Sequence, residues 1–183
     1  MQQNLQNIIG NSAYTTLTNS QLLYHSQRLP TLLHVQHPLF SAVIAMQGAQ
    51  LLSFKQLDAM DWLWLKPAQT FQQGLPILGG IPLCAPWFGQ KQKPTHGFAQ
   101  LLPWQLTSLV ETQEQVALTF SFSHQGDKLF ANAFELQQTL TLGQTGIGLT
   151  LHWKNLSLKT QNSLSFAWHS YFTCQDNLQN PAT

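Results

Sequence analysis

The chain has 183 residues, room for one domain with a real core, and an apolar content of 43% predicts a packed interior. Only 8% of its residues are charged, against roughly 25% in an average soluble domain, so Gln, Asn, Ser and Thr must supply most of the solvated surface. A net charge of +1 with scattered Lys and Arg leaves no field to attract nucleic acid or an anionic membrane, and both partners are set aside.

The first 20 residues are polar and without period, an expected loose arm on a single domain spanning 1–183. They lack the basic region and long apolar stretch of a secretory leader. No later run approaches the roughly 18 apolar residues of a membrane span, so a cytoplasmic protein is expected. From residue 31 onward the signal is short strands: TLLHVQH, SAVIAMQ, AQLLSFKQ and DWLWLK, separated by Pro38, Gly48 and Asp58. Segment 66–73, KPAQTFQQ, is compatible with a single turn of helix. Val116, Leu118, Phe120 and Phe122 alternate with smaller neighbours, as a half-buried strand does. In FELQQTLTL the apolar row Phe134, Leu136, Leu140, Leu142 is broken by Gln138. Ile147, Leu149, Leu151 and Trp153 alternate again, and Gly143-Gln144-Thr145-Gly146 between the two runs supplies a hairpin turn. Residues 164–172 read as a further strand. Short strands with frequent turns and almost no helical pattern predict an all-β fold, an antiparallel β-sandwich or barrel. The chain runs only TCQDNLQNPAT beyond that aromatic strand, which leaves the strand without a closing partner and suggests an incomplete sandwich.

Residues 79–89, GGIPLCAPWFG, put apolar and aromatic side chains on backbone that neither helix nor central strand accepts, because of Pro82 and Pro86. Such a run is either a core crossing or the wall of a site. Trp87, between Pro86 and Phe88, could present an apolar platform to a sugar ring. Of seven histidines, His25, His124 and His152 sit in polar or turn contexts and read as structural or surface groups. His34 and His37, three apart on a strand, point to opposite faces and pair poorly as metal ligands. His96, in PTHGFAQ beside Gly97, and His169, in WHSYF, are the functional candidates. Cys84 and Cys174 belong to no CxxC pair, so zinc is unsupported and two buried free thiols are expected. Ser170 lacks a GxSxG context, and Gly79-Gly80 precedes no phosphate-binding helix.

GGIPLCAPWFG followed by PTHGFAQ and Trp104 resembles the signature region of the hexose-6-phosphate 1-epimerases, within the aldose 1-epimerase (mutarotase) superfamily. QGAQLLSF (47–54) and DWLWLKP (61–67) look like that family's Gly-Ala strand and Leu-Trp-Leu segment. FAWHSYF (166–172) is similar to its His-x-Tyr-Phe motif. The resemblance implies a large antiparallel β-sandwich, here lacking its C-terminal strands, and an isomerase that needs no cofactor or metal. Its reaction interconverts the α and β anomers of an aldohexose or its 6-phosphate by acid–base ring opening. By resemblance His169 is the general acid and His96 polarises the substrate. Gly79, Gly80, Trp87, Phe88, Gln100 and Asp176 fall at substrate-binding positions.

Three departures from the pattern bear on function. Leu78 precedes Gly-Gly-Ile-Pro, and Gln100 ends His-Gly-Phe-Ala, where the family carries phosphate-associated arginines. Neither side chain offers a cationic fork, although Lys91 or Lys93 could contribute charge. The family's catalytic glutamate lies beyond the His-x-Tyr-Phe motif, in a portion this sequence does not include, and Glu111, Glu114, Asp127 and Glu135 are poor substitutes. The expectation is an impaired mutarotase. The alternative is a carbohydrate-binding protein without catalysis.

Overall fold

The computed structural model of the chain describes residues 30–69, 71–90, 92–157 and 163–174, with the backbone of 21–25. The expected arm, 1–20, lies outside the described residues. The strands are β1 (Gln21–His25), β2 (Leu32–His37), β3 (Phe40–Ala45), β4 (Gln50–Gln56), β5 (Leu83–Cys84), β6 (Gln105–Glu111), β7 (Gln115–His124), β8 (Phe134–Gly143), β9 (Gly146–Asn155) and β10 (Ala167–Trp168), with one 3-10 turn at Ala99–Leu101. They form two antiparallel four-stranded meanders, β1-β2-β3-β4 and β6-β7-β8-β9, and a short pair, β10-β5.

The alternation in the sequence becomes the core. Val116, Leu118, Phe120 and Phe122 on β7 are buried, while Ala117, Thr119 and Ser121 are partly open. Gly143 and Gly146 face each other across the β8–β9 turn and set the register. Leu33, Val35, Ile44 and Phe54 from the first meander share one apolar cluster with Leu118, Phe120, Leu136 and Leu140 from the second. Each fully buried side chain of this size contributes about 1.5–3 kcal/mol relative to exposure. The expected all-β sandwich is therefore present. A second cluster of Ala45, Leu52 and Ile77 forms between the first meander and the 65–77 segment, with Leu65 and Phe71 packed on it.

Three segments differ from the pattern read in the sequence, and a fourth, β6, is not legible in it. Residues 61–66 form no ladder, because Asp61, Leu63 and Leu65 bridge to three different partners, Lys55, Phe172 and Gly79. Segment 66–73 turns at Pro67–Ala68 and its described residues form no helix, and residues 164–172 condense to β10 and the single bridge at Phe172. Strand β6 carries no clean alternation, since a bulge between Leu106 and Ser108 shifts its register against β7. Among the described residues no helix is long and apolar enough to cross a membrane.

Candidate active site

The proline-rich run resolves into a backbone rail. Ile81 N–H donates to Leu51 O at 2.8 Å, fixing the run to β4. On its other side β10 pairs Ala167 with Cys84 and Trp168 with Leu83. His169 N–H then donates to Pro82 O (3.0 Å), Tyr171 N–H to Gly80 O (2.9 Å) and Ser165 N–H to Pro86 O (3.1 Å). Proline cannot donate but its carbonyl accepts, so Pro82 and Pro86 serve this rail at no cost to its pairing. A Cβ on Gly79 would lie 2.4 Å from Trp64 O, and one on Gly80 2.2 Å from Leu51 O. The two glycines thus let three backbone segments meet beneath the His169 segment. Residues 81–87 are all buried, so the run is core and site support together.

His96 sits at φ 65°, a left-handed conformation uncommon for a residue with a Cβ. Its N–H donates to Gly89 O (2.9 Å), and Gly89 N–H donates back to His96 Nδ1 (3.2 Å). A backbone N–H can only donate, so Nδ1 is unprotonated and the neutral ring carries its proton on Nε2. Gln100 Nε2 donates to Thr95 O (3.3 Å) and His96 O (3.4 Å), and Trp87 Nε1 donates to Pro94 O (3.0 Å). The loop therefore presents His96 as a fixed hydrogen-bond donor.

The rings of His96 and His169 stand 5.6 Å apart, with Phe88 4.9 Å from the first and 6.3 Å from the second. Tyr171 lies against His169 at 4.7 Å, its hydroxyl 3.5 Å from Nδ1, and Trp64 lies 5.9 Å beyond Tyr171. Among the described residues the hydrogen bond of the His169 ring is made at Nδ1, to the Tyr171 hydroxyl. Phe88 is 52% exposed, whereas Trp87 is 8% exposed and packs edge-on against Phe98. The apolar surface beside the histidines is thus Phe88, with Trp87 behind it, because the indole is committed to the core and to Pro94. Gln100 is likewise buried and its amide N–H groups are spent on the loop. Leu78 is exposed, its backbone held by Gln69 Oε1 and Nε2. Asp176 and Lys91 lie outside the described residues.

No described carboxylate is paired with either histidine. Asp61 accepts from Ser53 Oγ, Phe54 N–H and Leu63 N–H. Asp127 accepts from Leu129 N–H and Phe130 N–H, the Phe130 bond chiefly holding its carboxyl below the usual range. Glu111 and Glu114 flank the β6–β7 turn, and Glu135 sits on β8. A cavity of about 460 Å³ lined by Ala59, Met60, Asp61, Trp62, Phe172 and Thr173 includes neither histidine. Among the described residues no group of three His, Cys, Asp or Glu could hold a metal ion. Both cysteines are free thiols. Cys84 is buried as expected, but Cys174 is exposed, since it follows the last bridge at Phe172. Tyr171 had no signal of its own in the sequence beyond its place in WHSYF.

A family model described as aldose 1-epimerase matches residues 31–182. The chain is 39% identical over 151 residues to an Escherichia coli protein named "putative glucose-6-phosphate 1-epimerase", and 37% identical over 151 residues to a Salmonella typhimurium protein of the same name. Each match covers 79% of this chain and 49% of the relative. The crystal structure of a Salmonella typhimurium "putative mutarotase" superposes with a TM-score of 0.64 at 33% identity, over 77% of this chain and 49% of that one. The chain spans about half the length of the curated relatives it matches.

Proposed function

The chain belongs to the aldose 1-epimerase family, and we propose that its His96–His169–Phe88 cluster binds an aldohexose, free or as its 6-phosphate, and promotes exchange of its anomers in the cytoplasm. Anomer exchange needs a proton delivered to the ring oxygen as the C1–O bond breaks, and a proton removed from the C1 hydroxyl, whose oxygen becomes the aldehyde carbonyl. Rotation about C1–C2 and reversal of these transfers closes the ring on the other face. His169 is the proton donor through Nε2, since Tyr171 engages Nδ1 and imidazole gives and regains protons near neutral pH. His96, fixed as an Nε2 donor by Gly89, polarises a sugar oxygen. Phe88 supplies an apolar wall for the C–H face of the ring.

The observation that carries this reading is the convergence of the two histidines, 73 positions apart in sequence, at 5.6 Å on one backbone rail. Among the described residues the acid arm has no matching base, since no carboxylate there pairs with His96 or His169. Lacking a general base typically lowers a rate by about 10²–10⁴-fold. The 183-residue chain is therefore a weak mutarotase, and the same observation favours carbohydrate binding without catalysis as the second reading. Leu78 and Gln100 weaken the case for the phosphate ester over the free sugar, since neither carries charge.

Two-dimensional exchange NMR on glucose and glucose 6-phosphate tests the proposal. Little acceleration by the 183-residue chain is expected. A substantial rate that disappears in His169→Gln would refute the missing-base argument. Failure of both sugars to perturb His96 and His169 would refute the site.

A further inference from the structure

The one polar break in the inward row of β8 is Gln138, and it is 1% exposed. An amide buried between two sheets costs free energy unless both of its ends are paired. Here both are. Nε2 donates to Ala49 O at 2.8 Å, and Oε1 accepts from Trp168 Nε1 at 2.9 Å. The orientation is forced, since an indole N–H can only donate and a carbonyl can only accept. Among side chains of similar length, ionised Glu lacks the donor, Lys lacks the acceptor, and Met lacks both.

Each partner leads toward the histidines. Trp168 is the peptide neighbour of His169 and pairs with Leu83 on the rail. Ala49 lies at φ 45° in the β3–β4 turn, beside Gln50, whose Nε2 donates to Gly79 O at 2.7 Å. One side chain thus ties the second meander to the turn of the first meander and to β10, which delivers His169. A residue serving only the core would be Leu or Val, as at the neighbouring inward positions Leu136 and Leu140.

We infer that Gln138 is a positioning residue for His169, acting through the Trp168 indole to fix the angle at which the imidazole enters the site. The functional meaning of this role rests on the reading of His169 as the proton donor.

The test compares Gln138→Met, Gln138→Glu and Trp168→Phe with Leu118→Ala, a destabilising control in the same sheet. Thermal melts are read beside histidine side-chain ¹H–¹⁵N spectra and glucose titrations recorded well below each melting temperature. Gln138→Met and Trp168→Phe are expected to shift or broaden the His169 ring signals and to weaken sugar binding roughly two- to tenfold. Gln138→Glu, which keeps the acceptor, is expected to perturb His169 less than Gln138→Met. Leu118→Ala is expected to lower the melting temperature while His169 stays at its wild-type position. If the Gln138 and Trp168 variants lower the melting temperature and leave the His169 spectrum where Leu118→Ala leaves it, the inference is overturned. Should Gln138→Met fail to fold, Trp168→Phe decides by the same spectrum. His169→Gln without effect on anomer exchange or sugar binding would defeat the functional reading, whereas the ring spectrum tests the coupling by itself.

Discussion

Removing the Asp61 carboxylate should loosen the scaffold beneath the site by an amount the hydrogen bonds set. Oδ1 accepts from Phe54 N–H at 3.1 Å and from Leu63 N–H at 2.9 Å, while Oδ2 takes the Ser53 hydroxyl. Phe54 and Leu63 are buried, so Asp61→Ala leaves two backbone donors without a partner. An orphaned buried donor costs about 1–3 kcal/mol, and partial access of water at the half-buried Asp61 argues for the lower half, giving a total of about 2–4 kcal/mol. Asp61→Asn keeps Oδ1 as acceptor and can donate to Ser53 Oγ, so its cost should stay below about 1 kcal/mol. Segment 61–66 also clamps the site, with Trp64 N–H donating to Tyr171 O at 2.9 Å and Thr173 N–H to Trp62 O at 2.9 Å. Urea unfolding followed by tryptophan fluorescence measures both variants. Equal losses for Ala and Asn, or a loss under about 0.5 kcal/mol for Ala, would refute this reasoning.

Phe88→Ala should weaken sugar binding while leaving the melting temperature nearly unchanged, because the ring is half exposed; Trp87→Ala should destabilise by about 3–5 kcal/mol, as truncation of a buried aromatic does. Isothermal titration and thermal melts separate the two, and the opposite assignment would restore Trp87 as the sugar platform. Burial pushes the Cys84 thiol up to about 11, so at pH 8 iodoacetamide should label exposed Cys174 and spare Cys84 in the folded chain; mass spectrometry checks the ratio. Asp127 is held below its ordinary pKa by Phe130 N–H first, then by Leu129 N–H and His124. A depressed carboxylate adds stability that is present above its unfolded pKa and lost as pH falls through the folded value. Wild type should therefore lose more stability than Asp127→Asn on acidification below about pH 4, the range where an unperturbed carboxylate takes its proton.

The strands that could be read from the sequence were those that pair along continuous ladders. Val116 to Phe122 and Ile147 to Leu151 alternate because one face of each meets the core, and a period of two survives that geometry; Trp153 continues the alternation but is exposed. Segment 61–66 did not become a strand because its odd residues serve three separate neighbours, which no periodicity encodes. β6 was hidden by its bulge, which moves Thr107 out of step. At the site, His96 and His169 stood out by chemistry and by family resemblance. The division of labour between Trp87 and Phe88 depends on which face of the loop meets Phe98, a tertiary fact. Gln138 was visible as a broken apolar row, but its partners Ala49 and Trp168 are 89 and 30 positions away. Gln100 fits the phosphate-arginine position by motif, and only the loop geometry shows its amide turned back on Thr95 and His96.

The claim that one rail gathers these residues into a sugar site is tested most directly by titrating glucose and glucose 6-phosphate into chain with ¹⁵N-labelled histidine. Saturable shifts of His96 and His169 with at least one of the two sugars are expected, while His37, held by Leu39 N–H, and His124, held by Phe130 O, stay fixed. Shifts confined to other histidines, or none up to high sugar concentration, would contradict it.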